Sequence, residues 1–476
     1  MLRTGGPSYG LKAVRWTPES LAAQAEGQLR RRGRPEIAGA FIDSRSPRAG
    51  ALFVPIVAAR DGHGFLPQAI AGGAAAVLVA RGRPLPEGDV TVVEVDDTLA
   101  ALTRLGARSR DRVSGPVVAI TGSNGKTTTR AMVEVVLASA LPDVLCTRGN
   151  LNNHLGVPLT LLDEPHEPSA MVIELGMSAP GENDHLARIV RPTAAIVTSI
   201  ALEHLEFMGS LEAIAAAEAE VVPHVVADGM VVVPSDEPRL RPYLPPGPRP
   251  AVLRFGPDDA ADVQVLGVEP GERTVAALRL PSGERVTLRL RLFGAHNARN
   301  AAAALAVGLR LELPLRPMLA ALEAVEPVGD RGRVHAWGEH LVIADCYNAN
   351  PGSMDAALTS LAALRRHRAG PRVAVLGDML ELGPTELELH ADVGRRCAAL
   401  GLEHVITLGP RSEATTRAAA EGGVRAVHVG EDVELAAAAV RDVLHGAAPG
   451  AVLVKGSRGM RLERVIAALG DPGPDA

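Results

Sequence analysis

Lysine is nearly absent from this chain. Of its 49 lysine and arginine residues only three are lysine, at positions 12, 126 and 455. A sequence that uses arginine so uniformly keeps a lysine where a compact ammonium on a flexible stem is hard to replace. Aromatic residues are scarce too, at 2%, so cores drawn from a 47% hydrophobic content must be built of alanine, valine and leucine. Cys146, Cys346 and Cys397 are spaced too widely for a disulfide framework or a metal knuckle, which fits a reducing compartment. No basic stripe interrupts the net charge of −6, which argues against a nucleic-acid partner. The longest apolar stretch, residues 69–80, is too short to span a bilayer, and the N-terminus lacks the apolar segment of a secretory signal. These absences point to a cytoplasmic enzyme without membrane insertion. Nothing in the chain demands a second subunit, so a monomer is expected.

Around the second lysine the sequence is most informative. Thr121-Gly-Ser-Asn-Gly-Lys-Thr-Thr-Thr129 follows an apolar run, residues 116–120, that reads as a buried parallel strand. It precedes a stretch, residues 127–140, that reads as a helix with Met132, Val135, Val136 and Leu137 inward. Strand, glycine loop, Lys-Thr and helix form a phosphate cradle. The amides of Gly122, Ser123, Asn124 and Gly125 and the helix start at Thr127 and Thr128 face the anion, Lys126 reaches the outer phosphates, and Thr127 ligates magnesium. The longer form of this motif carries a further glycine where this chain has Ile120, so the match is to a compact variant. The motif implies a nucleoside triphosphate.

At 476 residues the length suggests about three domains. Residues 1–112 form a first unit, with a helix start at Thr17-Pro18-Glu19 and strands at 51–54 and 75–79. Residues 113–325 form the nucleotide unit. Further buried strands are expected at 171–174 and 194–198, which puts Glu174 at a strand's carboxyl end, where open α/β sheets hold their ligands. Between residues 230 and 293 the pattern changes, and residues 286–292 alternate with period two after a Pro281-Ser-Gly283 turn, so this whole stretch is expected to form an antiparallel flank. Residues 326–476 alternate strands (341–344, 373–376, 405–408, 452–454) with alanine-rich helices, as in a second doubly wound sheet. The tail from Gly470 to Ala476 is expected to be disordered. The fold class is thus α/β, and two α/β units meeting near residue 326 invite a cleft that closes by a hinge.

Candidate chemistry collects at strand ends. Thr127 and Glu174 offer the hard oxygens that magnesium prefers. His204 lies between two acids in residues 202–206, after the third strand of the nucleotide unit; a solvated surface cluster has the same composition. Glu218 and Glu220 sit on the next helix, where the wet face of an alanine-rich helix is the plain alternative. Asn297 and Asn300, three apart at another helix start, can read an adenine edge or serve as caps. Arg333, near the junction of the units, can swing onto a terminal phosphate or remain at the surface. Asp345 ends a strand and is followed by Tyr347-Asn-Ala-Asn-Pro351, either a substrate site or a plain turn.

These segments, in this order, resemble the Mur ligases, specifically the branch that joins D-alanyl-D-alanine to UDP-N-acetylmuramoyl-tripeptide. The resemblance runs nearly end to end. It rests on Asp43-Ser-Arg45, Asp61-Gly-His-Gly-Phe65, the loop at 121–129, the segment 149–156, Glu174, His204-Leu-Glu206, Tyr347 to Pro351, residues 375–383 and Lys455-Gly-Ser-Arg458. It implies a UDP-substrate domain, a central ATPase domain and a Rossmann-like C-terminal domain, with ATP and Mg2+ bound. It further implies that Ser44 and Arg45 hold the UDP-sugar, and that Asn152 and Asn153 line the acceptor site. Lys126 would hold the β- and γ-phosphates; Thr127 and Glu174 would bind one magnesium, and His204 would help bind a second. Asn297 and Asn300 would meet adenine, Arg333 and Asp345 would contact nucleotide across the cleft, and Asn348 and Asn350 would lie near the dipeptide. The implied reaction passes through an acyl phosphate.

The chain departs from the pattern at one chemically important place. The family carries a lysine after the His-Leu-Glu segment, converted by CO2 to a carbamate that supports the second magnesium; the matching residue here is Glu218, and no lysine lies between Lys126 and Lys455. Glutamate supplies similar charge on a stem about three bonds shorter, so Glu218 is expected to take the carbamate's place, directly or through water. The usual asparagine before the His segment is also replaced, by Ser199. Two other kinds of reading stay open: another Mur-type or folylpolyglutamate ligase, and a nucleotide-binding homologue that no longer ligates. The Glu218 expectation predicts that Glu218→Ala and Glu218→Gln both lose ligation; near-wild-type rates in both would refute it.

Overall fold

A computed structural model describes residues 15–163, 167–269 and 271–470. The expected α/β architecture is present, and the tail beyond Gly470 lies outside the described residues. The first helix, Pro18–Ala25, starts as its sequence predicts. The Thr17 hydroxyl accepts the Ser20 N–H, the Ser20 hydroxyl accepts the Thr17 N–H, and Pro18 sits where a missing N–H does no harm. Beside it lies a five-stranded sheet in the order Gln28–Arg31, Thr91–Val95, Ala76–Ala80, Leu52–Phe53, Ala40–Phe41. All neighbours pair in parallel except the first two.

A nine-stranded sheet holds the phosphate loop. Its order is Arg285–Leu290, Thr274–Arg279, Val263–Glu269, Ala251–Gly256, Met230–Pro234, Ala194–Val197, Val117–Thr121, Ala170–Glu174, Val144–Cys146. Pairing is parallel from Val144–Cys146 as far as Val263–Glu269, and antiparallel in the two pairs beyond. The antiparallel flank is therefore narrower than residues 230–293, because Met230–Pro234 and Ala251–Gly256 extend the parallel part. The central strands are buried throughout, whereas Arg285–Leu290 alternates, as a strand covered on one face should. Pro281 to Gly283 turns the last hairpin, with Gly283 at φ +85 and its N–H given to Leu280 O.

Helices Lys126–Ala138 and His296–Arg310 cover one face of this sheet, and Glu182–Val190 and Leu211–Ala219 cover the other. Alanine makes the first pair fit closely. Ala301 to Ala304 are fully buried, and a Cβ at Gly308 would stand 2.3 Å from Met318 Sδ and 2.7 Å from Val136. A core this poor in aromatics gains its density from close helix approach rather than from large side chains.

The third sheet has six strands, in the order Arg333–Trp337, His340–Asp345, Ala451–Lys455, Arg372–Gly377, His404–Leu408, Arg425–His428. Only its first pair is antiparallel. Asp345 and Lys455 stand opposite one another at the carboxyl ends of adjacent strands. Among the described residues no helix is long and apolar enough to cross a membrane.

The cysteines are all buried in these cores. Burial pushes the Cys346 and Cys397 thiols up to about 12, and holds Cys146 well above the ordinary thiol range. Thiolate is the reactive form. The folded chain is therefore expected to resist a disulfide-exchange chromophore at pH 8, and to react at three thiols once unfolded.

Candidate active site

The phosphate loop must hold its amides towards an anion while keeping side chains out of the way. Gly122 and Gly125 meet that demand at φ +119 and +85. A Cβ on Gly122 would fall 2.3 Å from Thr198 Oγ1, and one on Gly125 2.7 Å from Asn300 Oδ1. The segment after strand Ala194–Val197 braces the loop from the side. Thr198 Oγ1 donates to Asn124 O (2.6 Å), Ser199 O accepts Ser123 N–H (2.8 Å), and Ser199 Oγ accepts Asn124 N–H (2.9 Å). Ser199, which stands where the family pattern has asparagine, thus serves the loop itself.

Lys126 begins the following helix and is folded back, its Nζ donating to Gly122 O (2.5 Å) and Ser123 O (3.3 Å), with Glu203 Oε1 at 3.7 Å. Desolvation alone would depress the ammonium, but Glu203, then Glu218 and Glu174, hold its pKa above the ordinary lysine value. It stays charged. Glu203 is 5% exposed, and burial pushes its carboxyl up to about 8 against the pull of Lys126.

Glu174 ends its strand beside Thr127. Its Oε1 accepts from Thr127 Oγ1 (3.2 Å) and Asn152 Nδ2 (3.0 Å), while its buried Oε2 has no hydrogen-bond partner. Arg130 Nε faces that oxygen from 3.7 Å, beyond hydrogen-bond reach, so the oxygen beside the Thr127 hydroxyl keeps a free lone pair for a bound cation. Among the described residues no three histidine, cysteine or acidic side chains form a metal cluster. The donor set therefore fits magnesium, which keeps most of its shell as phosphate oxygens and water, and does not fit a metal caged by protein alone.

A cavity of about 730 Å³ opens over the loop. Its wall joins the two sheets: Ser123 to Thr128, Asn152, Asn153, Glu174, Glu203, His204 and Asn300 from the nine-stranded side, and Arg331, Asp345, Tyr347, Asn348 and Lys455 from the six-stranded side. Polar contacts at two points of the rim help to hold the sides together. Asn124 and Asn350 exchange amide hydrogen bonds (3.3 and 2.9 Å), and His204 Nδ1 lies 2.6 Å from Glu381 Oε2. His204 and Glu381 are both left-handed, at φ +49 and +62, a conformation that non-glycine residues adopt only where surroundings enforce it. Opposite, Lys455 Nζ pairs with Asp345 Oδ2 at 2.7 Å and donates to Asn348 O.

Several sequence-selected residues stand elsewhere than expected. Glu218 does not line the cavity. It is 1% exposed, and its Oε2 takes the Thr121 hydroxyl, the Gly122 N–H (2.8 Å) and Asn183 Nδ2 (3.2 Å) underneath the loop. Its short stem reaches the loop's backbone instead of the cavity. Glu220 is no wet-face residue either: it accepts the Gly181 and Asp184 N–H groups at the start of helix Glu182–Val190. Arg333 does not line the cavity; its guanidinium is held by Pro327 O and Gly329 O. Arg331, two residues earlier, faces the cavity with its guanidinium carbon 3.5 Å over the Tyr347 ring. Asn297 points away and supports Asn300, donating to Phe293 O and accepting from Asn300 Nδ2, so only Asn300 reaches the wall.

Asn350 is likewise engaged, by Asn124 and by the Ser353 N–H it caps, which leaves Asn348 as the wall residue of that pair. Asn153 lines the cavity while its Oδ1 caps Leu155 and Gly156. Ser44 and Arg45 belong to the five-stranded unit, away from this cavity; Ser44 Oγ donates to Gln68 Oε1, and Arg45 pairs with Asp43.

Comparison with known proteins agrees with this geometry. Residues 120–308 match the Mur ligase middle domain, and residues 331–458 the Mur ligase, glutamate ligase domain. The chain is similar to the UDP-N-acetylmuramoyl-tripeptide--D-alanyl-D-alanine ligase of Bacillus subtilis (strain 168), at 34% identity over 95% of this chain and 98% of that protein. It is similar in structure to MurF from Acinetobacter baumannii, with TM-score 0.84 and 31% identity over 96% of this chain and 99% of the other. MurF ligase from Thermotoga maritima in complex with ADP gives TM-score 0.78 at 26% identity, over 90% and 96%.

The loop geometry makes a sharp prediction. Gly122→Ala should weaken ADP binding by about tenfold or more, read by isothermal titration calorimetry, because the methyl collides with Thr198 backbone and side chain alike. Gly247→Ala, where nothing lies within 4 Å of the added carbon, should leave it unchanged.

Proposed function

This chain belongs to the Mur ligase family, and we propose that it is the ATP-dependent ligase that joins D-alanyl-D-alanine to UDP-N-acetylmuramoyl-tripeptide. The observation that carries this reading is the single cavity in which a phosphate loop faces Arg331, Asp345 and Asn348 from the other sheet. Activation of a carboxylate by phosphoryl transfer needs cations at the phosphates, a second substrate close by, and shelter from water.

In the first step a carboxylate oxygen of the tripeptide attacks the γ-phosphorus, the bond to the β-phosphate oxygen breaks, and ADP leaves an acyl phosphate. In the second, the dipeptide's free amine attacks the carbonyl carbon, the amide bond forms, and the surplus proton departs with phosphate. The loop amides and Lys126 hold the β- and γ-phosphates; leaving Gly122 O and Ser123 O for the incoming anion requires only a rotation of the lysine stem. Thr127 and Glu174 would hold magnesium, with His204 turned by Glu381 towards a second ion. Bound there, magnesium supplies charge neutralisation for the transferring phosphoryl group. Asn300, steadied by Asn297, meets the adenine. Arg331 takes the phosphate-clamping part expected of Arg333, and Asp345 fixes Lys455 beside Asn348 where the dipeptide enters.

The division of labour follows the sheets: residues 1–112 bind the UDP-sugar through Ser44 and Arg45, residues 113–325 bind ATP, and residues 326–476 close over both. On this reading the enzyme works as a monomer in the cytoplasm, where its ATP is supplied. Phosphate release from ATP should require both the UDP-linked tripeptide and D-alanyl-D-alanine; release with neither, or binding without release, would overturn the reading. Arg331→Ala should lower kcat by about 10²-fold or more, while Arg333→Ala should stay within about tenfold of wild type.

A further inference from the structure

Four acids line the cavity, and their oxygens differ in what they touch. Glu182 Oε2 accepts the Ser178 and Ala179 N–H groups, and Asp345 is paired with Lys455. Among the described residues only Glu174 and Glu203 line the wall and also keep a buried carboxylate oxygen without a hydrogen bond, Glu174 Oε2 and Glu203 Oε1. Glu203 is more than nine-tenths buried, and Lys126 Nζ stands 3.7 Å from that bare oxygen, beyond hydrogen-bond reach. A buried carboxylate oxygen left bare carries a desolvation penalty unless something else meets it.

We propose that Glu203, and not Glu218, supplies the second carboxyl group that meets the magnesium–triphosphate, so that this chain needs no lysine-borne carbamate. Glu218 is a positioning residue beneath the loop, holding Thr121, Gly122 and Asn183. The two acids together divide what a single long carbamate stem would do: one reaches the cavity, the other fixes the loop. Neither remaining described lysine can serve instead, since Lys126 belongs to the loop and Lys455 is paired with Asp345. The proposal rests on the ligase reading, because it presumes a metal–nucleotide in the cavity.

Manganese tests it, used as a spin probe with a non-hydrolysable ATP analogue and counted by electron paramagnetic resonance. Glu203→Gln should weaken binding of the manganese–analogue complex by about tenfold or more, a loss several times larger than any change in its affinity for the metal-free analogue, which reports the disturbance passed on to Lys126. Glu203→Asp should restore much of the manganese affinity. Glu218→Gln should instead weaken the analogue equally with and without manganese, the mark of a disturbed loop. Stripping CO2 and bicarbonate should leave wild-type manganese affinity unchanged. Manganese affinity within twofold of wild type in Glu203→Gln, or tightening of the wild type on return of bicarbonate, overturns this proposal alone. A wild-type chain that binds no manganese–nucleotide overturns the ligase reading, and this proposal with it.

Discussion

A buried ammonium among three carboxylates is the interaction on which the site depends. Lys126 could not remain charged at its depth without Glu203, Glu218 and Glu174 around it. They in turn could not be tolerated together without it, since like charges in a poorly hydrated space repel strongly. The geometry divides them. Glu218 is satisfied by backbone and side-chain donors under the loop, Glu174 by Thr127 and Asn152, and Glu203 least of all. An incoming triphosphate brings more negative charge, so a divalent cation must arrive with it; the site's electrostatics call for both at once.

The second constraint is mutual closure. The Asn124–Asn350 amide pair ties the tip of the phosphate loop to the cap of helix Pro351–Ala363, so loop position and helix position are coupled. The His204–Glu381 contact does the same on the other rim, with both backbones in a strained region. Groups that need each other to hold such geometry favour an all-or-none change over gradual drift.

The fold was legible where physics is local. Fully buried strands read as apolar runs, the glycine loop as strand–turn–helix, and the Thr17 start as a capping box. The narrower flank was not, because two strands that extend a parallel sheet look like edge strands in one dimension. Within the site, sequence located the segments but not which way side chains face. Arg331 and Arg333 bracket a single glycine, and only the turn decides which enters the cavity. Glu203 was missed because an acid beside a histidine in a loop resembles a hydrated cluster; its burial comes from Ser123 and Lys126, some 80 positions earlier. Glu218 showed the converse, since polar burial on an alanine-rich helix leaves no mark on hydrophobic periodicity. Asn350 found its partner 226 positions away.

The shortage of lysine has a practical corollary. Among the described residues both lysines, Lys126 and Lys455, sit on the cavity wall. Surface acetylation, amine cross-linking and ester dyes therefore have almost nowhere to land on the described body of this molecule except its reactive centre. Even there the reagents meet poor nucleophiles, since Lys126 is held as an ammonium among carboxylates and Lys455 is buried against Asp345.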